Sequence, residues 1–359
     1  MKISITLILT GLTFLLITQG CAPQPTIALT TVPTMQTTAP TTLTTAPTTL
    51  TTAPTTLTMA PATPSPKKTY QDLVVGFSQI GNESEWRTAD TVSIKQEAAR
   101  LGIDLIFMDA QQEQENQILA IRTFIAEKVD VIGISAVVET GWGDVFQEAK
   151  AAGIPIIFVD RPADVAKDEY ITYLGSDFLE EGRKAARVMA TLTKGNASIV
   201  ELVGTIDSAP AVDRSLGFRE ILQSYPNMKI IDSESGDFTR AGGLELMRTI
   251  LQKYGKSFTA VFAQNDDMGL GAIQAIQEYG LKPGVDIKIV SVDAEKEAFE
   301  AMIAGTLNAT VECNPLLGPQ FFDLALKVAN GETVPKRVPS IEGVFFPDDA
   351  ATILLTRKY

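Results

Sequence analysis

From Leu73 to Val292 the sequence alternates short apolar runs with amphipathic stretches almost without a break. This restricts the fold more than any other feature of the chain. Runs such as Leu73–Phe77, Ile103–Met108, Val129–Ile134 and Ile154–Val159 are short and apolar like buried strands. Between them Trp86–Leu101, Gln114–Glu127 and Trp142–Ala151 carry a helical pattern; Ile118, Ile121, Phe124 and Ile125 share one face. After a linking strand near Tyr170–Leu174 the alternation restarts. Strands are expected over 197–203, 228–232, 260–263 and 287–292, and helices over 179–192, 212–223, 241–254 and 268–279. Strands alternating with helices make parallel sheets covered on both faces. Two consecutive runs predict an α/β protein of two doubly wound, Rossmann-like lobes.

In open α/β sheets, ligands bind beyond the carboxyl ends of the strands. Polar residues fall there repeatedly: Ser78 and Gln79, Asp109, Asp160 and Arg161, Asn265 and Asp266, and Asp293. Asp213 and Arg214 open a helix after the loop 204–211. The stretch Val261–Gly271 shows the pattern at short range. A strand ends at Ala263, and a helix is expected from Met268. Asp266 or Asp267 is the expected helix cap. That leaves the Asn265 amide, donor and acceptor at once, to face a cleft.

The pairs Asp160-Arg161 and Asp213-Arg214 support two readings. One is ordinary ion pairing. The other is recognition of vicinal hydroxyls, with Arg donating and carboxylate accepting. Trp86, at the start of the first helix, and Phe238 in Gly236-Asp237-Phe238-Thr239-Arg240 are placed to sandwich an apolar ring face. Trp86 also fits a packing role, and Trp142 between two glycines is read as packing alone.

Several chemistries are excluded. The chain has no histidine, which removes Ser-His-Asp and Cys-His catalysis and all His-containing metal sites. Its two cysteines, Cys21 and Cys313, preclude a disulfide framework, and Cys313 reads as a small apolar residue at a strand end. No glycine loop forms a phosphate cradle, and no acidic run reaches calcium-loop density. No cofactor or metal is expected. A formal net charge of −13 argues against nucleic acid as a partner.

The N-terminal end is of another kind. Lys2 precedes an uncharged apolar segment, Ile3–Ile17, too short to span a membrane comfortably and expected to be a secretory signal (residues 1–20). Gly20-Cys21 follows and looks like a bacterial lipoprotein cleavage site, with Cys21 lipidated. The heptad TTAPTTL then repeats from Thr37, Thr44 and Thr51. Proline in each repeat and a single strongly apolar residue rule out a coiled coil. Residues 21–69 are expected to be a Thr/Pro-rich stalk.

Taken in order, FSQIGNESEWR, VDRP, AVDRSLGF, SGDFTR, AQNDDMGLGAIQAI, GLKPG and SVDAE resemble the periplasmic sugar-binding proteins of ABC transporters, of the ribose/galactose-binding type. Glu83-Ser84-Glu85-Trp86-Arg87 is most similar to the galactofuranose-binding members. The resemblance spans about Asp72 to Pro347 and implies a type I periplasmic binding fold with sugar held between hinged lobes. It implies lobes of 70–174 plus 314–341 and 175–313 plus 342–359, crossing near Tyr173–Ser176, Glu312–Pro315 and Ser340–Gly343. It also implies sugar-binding roles for Ser84, Trp86, Arg87, Asp160, Arg161, Arg214, Phe238, Asn265 and Asp293; the loop pair adds Asp213. Cys313 stands where the ribose-type pattern has Gln, and Arg87 where it has an aromatic, so a hexose such as galactose or galactofuranose is expected over ribose.

The expected protein is a monomeric, non-enzymatic solute-binding lipoprotein on the outer face of the membrane or in the periplasm, which delivers a monosaccharide to an ABC permease. A sugar-sensing receptor partner is the alternative. A glycosidase fits less well, because it needs one protonated carboxyl and each candidate acid lies near an arginine.

Overall fold

A computed structural model describes residues 66–359. The expected signal segment, Cys21 and nearly all of the stalk lie outside the described residues. Among the described residues no helix is long and apolar enough to cross a membrane.

The first run of the chain builds a sheet from β1 (Val74–Gln79), β2 (Asp104–Asp109), β3 (Val131–Ile134), β4 (Ile156–Val159) and β5 (Thr172–Gly175). Helices α1 (Glu85–Leu101), α2 (Gln114–Glu127) and α3 (Gly143–Ala151) connect them. The second run begins with α4 (Phe178–Thr193). It continues through β6 (Asn196–Val203), α5 (Ala209–Leu222), β7 (Asn227–Ser235), α6 (Arg240–Tyr254), β8 (Ala260–Ala263), α7 (Asp266–Glu278), β9 (Lys288–Asp293), α8 (Lys296–Ile303) and β10 (Ala309–Glu312). Then the chain returns: α9 (Gly318–Ala329) and β11 (Arg337–Pro339) join the first lobe, while β12 (Val344–Phe345) and α10 (Pro347–Leu354) join the second.

Strand order is β11-β5-β4-β3-β1-β2 in one sheet and β12-β10-β9-β8-β6-β7 in the other. All pairs are parallel except β10 with β12. Each order reverses direction next to its first strand, between β1 and β3 and between β6 and β8, and there the helices fan to opposite faces and leave a crevice. The strands are apolar because both faces are covered; β3, β4 and β8 are buried along their whole lengths. On one face of the first sheet Phe77 packs against Phe321 of the returning α9. On the other, Phe158 stacks on Phe146, which meets Trp142 edge to face, and the Trp142 indole N–H donates to the Val138 carbonyl.

Two expected helix starts differ from those observed. The helix expected from Val212 begins at Ala209, because Pro210 sits in its first turn, where no N–H is required of it. The helix expected from Met268 begins at Asp266, and its cap is Asn265, whose Oδ1 accepts from Met268 N at 2.9 Å. Asp266 and Asp267 instead occupy the first turn, where carboxylates favour the positive end of the helix.

Candidate functional site

The chain passes between the sheets three times: after β5, after β10 and between β11 and β12. The carboxyl ends of both sheets therefore face one narrow interlobe cavity.

On the first lobe, Ser84 caps α1, its Oγ accepting from Arg87 N at 3.1 Å. That cap turns Trp86 and Arg87 inward, and both are buried. The Trp86 indole N–H donates to the Cys313 carbonyl at 2.6 Å. Arg87 is held by protein on every side. Its Nε donates to Glu83 at 3.1 Å, Nη1 to Gln79 at 3.2 Å and Ser135 at 3.4 Å, and Nη2 to Asp160 at 2.6 Å. Burial opposes its charge, but Asp160, Glu83 and Asp90 hold its pKa above the ordinary value. Arg87 lines the cavity with its donors already spent, so it serves to fix Asp160.

Asp160 follows β4 with a φ of 65°, a conformation costly for a side-chain-bearing residue. The Tyr173 hydroxyl pins its carbonyl at 2.8 Å. This turn delivers Arg161 into the cavity, 3% exposed, with Nε and Nη1 lacking any partner. Its nearest acids are Glu83 at 3.6 Å and Asp160 at 3.8 Å, beyond good hydrogen-bond range. Burial, then Arg87, lowers its pKa to about 10.

On the second lobe, Arg214 lies in the second turn of α5. Its Nε donates to Glu181 at 2.7 Å and Nη1 to the Gln264 carbonyl at 2.6 Å, while Nη2 lies 3.6 Å from Asp293. Asp293 ends β9 with a φ of 125°. Burial raises its pKa well above the usual carboxylate range, against the pull of Arg214. Asn265 caps α7 through Oδ1, and its amide donates to the Phe238 carbonyl at 2.9 Å. Phe238, with a φ of 58°, is thereby clamped between the lobes, 5.0 Å from Arg161 and 5.9 Å from Arg214. Gly204 makes room for it: a Cβ there would fall 1.9 Å from the ring.

Ser84, Trp86, Arg87, Asp160, Arg161, Arg214, Phe238, Asn265 and Asp293 all line this cavity. Asp213 does not; it is half-buried on α5, away from the lining, because neighbouring helical residues point about 100° apart and Arg214 takes the inward face. Asp109 is also outside, since β2 is the sheet edge rather than its centre. Glu83, Phe178, Pro210 and Cys313 complete the wall. Phe178 had a legible signal, an aromatic opening a helix as Trp86 does, whereas nothing in the local sequence marks Pro210. The lining acids Glu83, Asp160 and Asp293 balance the three arginines in formal charge, which suits a neutral, hydroxyl-rich ligand. Among the described residues Glu181, Cys313 and Glu342 are close enough to surround an ion, but the Arg214 guanidinium already supplies positive charge to Glu181, and no metal role is assigned.

Residues 75–333 match the family described as periplasmic binding protein domain. The chain is 43% identical to the galactofuranose-binding protein YtfQ of Escherichia coli K12 over 290 residues, 80% of this chain and 91% of the relative. It is also similar to the solved binding component of the arabinose ABC transporter from Shewanella sp. ANA-3, bound to α- and β-L-arabinofuranose (48% identity, TM-score 0.77, 79% of this chain and 95% of the other). A structure from Mycobacterium smegmatis in complex with β-D-fucofuranose shares 50% identity at TM-score 0.78, over 80% of this chain and 95% of the other.

Proposed function

The chain belongs to the periplasmic binding protein domain family, and on that premise we propose that it captures one monosaccharide in its five-membered ring form and delivers it to an ABC permease. The observation that carries this reading is Arg161. A buried guanidinium with two unpartnered nitrogens is a costly arrangement unless a ligand completes it. Sugar hydroxyls would do so while accepting from Arg161 and donating to Asp160, Glu83 and Asp293. Trp86 and Phe238 offer apolar faces to the ring carbons.

The furanose form extends to this chain from the arabinofuranose, fucofuranose and galactofuranose named for its relatives. These include a pentose, so ring size rather than carbon number is the proposed criterion. Lipidation of Cys21 and an extended stalk remain part of this reading, tethering the binding lobes to the membrane outside the cytoplasm.

Calorimetry with L-arabinose, D-galactose and D-fucose tests it, with D-ribose and myo-inositol as comparators. Carbon-13 spectra of bound, C1-labelled sugar are expected to show the furanose anomeric signal. Saturable binding with only the pyranose signal would overturn the ring-form assignment, and no binding of any of these sugars would overturn the function.

A further inference from the structure

The three interlobe crossings meet at one largely buried cluster. Ser176 comes from the crossing after β5, Cys313 and Asn314 from that after β10, and Glu342 from that between β11 and β12. Glu342 Oε1 accepts from the Ser176 hydroxyl and from Asn314 N at 3.2 Å. The Ser176 hydroxyl also lies 3.3 Å from the Cys313 sulfur. Against this group sits Glu181 of α4; one ligand atom from each of Glu181, Cys313 and Glu342 lies within 4.8 Å of the others. Glu181 Oε2 holds the cavity residue Arg214 at 2.7 Å, while its Oε1 is buried with no partner.

Two carboxyls this close, one fully buried and the other partly so, disfavour ionising together; a proton between them converts repulsion into a hydrogen bond. The charged groups around the pair leave that conclusion standing. Arg214 is engaged with Glu181 Oε2. Lys184 of α4 donates to the Glu342 backbone carbonyl at 3.0 Å, not to its carboxylate. Arg337 of β11 donates to the Ser176 carbonyl at 2.7 Å. Asp293 and the Cys313 thiol add no positive charge. We propose that Glu181 and Glu342 share one proton at the junction of the three crossings, and that this proton positions Arg214 for the sugar by keeping the junction closed. The inference deepens the sugar-binding reading above and rests on it. Both are positioning residues: neither lines the cavity, and both act through Arg214 and the hinge. Burial, then Glu181, raises Glu342 to about 8, which agrees with a proton held at neutral pH.

The sign follows from linkage. An acid whose pKa is raised in the closed form binds more protons there than when opened or unfolded, so the closed form weakens as pH rises towards the raised value. The experiment uses wild type, Glu342→Gln and Glu181→Gln, the last breaking the same pair from the other side. Thermal midpoints without sugar and L-arabinose affinity are measured from about pH 6 to about pH 9. Wild-type affinity is expected to fall about tenfold between about pH 7 and about pH 9 through loss of one linked proton. In both variants that slope flattens; Glu181→Gln binds more weakly at every pH because Arg214 loses its partner. Without sugar, the Glu342→Gln midpoint gains on wild type as pH rises. Slopes unchanged in both variants, or a midpoint gap independent of pH, would overturn the proposal. Failure of L-arabinose to bind at any pH would count against the sugar reading, while the sugar-free midpoints would still decide the proton.

Discussion

The two walls of the cleft hold their arginines differently. On the first lobe Arg87 is spent on Gln79, Ser135, Glu83 and one oxygen of Asp160, while Arg161 keeps bare nitrogens and Glu83 Oε2 has no partner. On the second lobe the lining arginine, Arg214, is engaged by Glu181 and the Gln264 carbonyl, and Asp293 stands 3.6 Å from it. The Phe238 ring lies 5.0 Å from Arg161 and 5.9 Å from Arg214. A hydroxyl donates and accepts, so a polyol completes both walls at once. The lobes have a reason to stay shut around such a ligand that they lack around an ion of either sign.

Three experiments would break or sharpen this contrast. The largest effect is expected where an arginine is already spent on the fold. Arg87→Ala leaves Asp160 and Glu83 buried without their cation, and Arg214→Ala does the same to Glu181; each is expected to lose about 3–5 kcal/mol of stability, read by urea unfolding. Equal stability of either variant and wild type would mean that these arginines are not structural.

Arg161→Ala is expected to do the reverse, since this guanidinium makes no tight bond inside the protein. Sugar affinity should fall by roughly 1–3 kcal/mol for each hydroxyl left unpaired, with the unfolding midpoint nearly unchanged. If the loss appears in stability and not in affinity, Arg161 belongs with Arg87 and its bare nitrogens are not a ligand contact.

The third experiment concerns pH on the first wall. Burial raises Asp90, beneath Arg87, to about 7 from an ordinary 3.8, and its Oδ1 has no partner. The folded state then holds a proton that the unfolded state releases, so stability is fullest at low pH and declines as pH rises between these values. Asp90→Asn should remove that decline, read as a flatter pH dependence of denaturation between these values. An unaltered slope would show that Arg87 keeps Asp90 ionised throughout.

Much of the site was legible because its residues sit at strand ends, and strand ends can be located from apolar runs. Asp160 and Arg161 follow Val159, and Asn265 follows β8, as the pattern requires. The misjudgements arose where a local rule competed with a tertiary one. Asp213, expected at the cleft beside Arg214, shares its helix but not its face and stays off the lining. Asn265 was set apart for ligand because two aspartates stood beside it as caps; in the fold it caps the helix and still lines the cavity. Cys313 reads as an apolar strand end, and its sulfur is buried; that its carbonyl receives Trp86 from the other lobe has no trace in local sequence.

The sequence by itself determined the doubly wound pair of lobes and the polar strand ends, because periodicity and turn chemistry act over a few residues and recur along the chain. Only the tertiary structure decided which of those polar groups are spent and which are free. Arg87, Arg161 and Arg214 are the same side chain near similar acids, and their difference lies in partners brought from 4 to 73 positions away in the chain for Arg87, from 33 to 50 for Arg214, and from none within bonding reach for the Nε and Nη1 of Arg161. Hydrogen-bond satisfaction depends on distances of a few tenths of an ångström across the folded chain, and no local pattern encodes them.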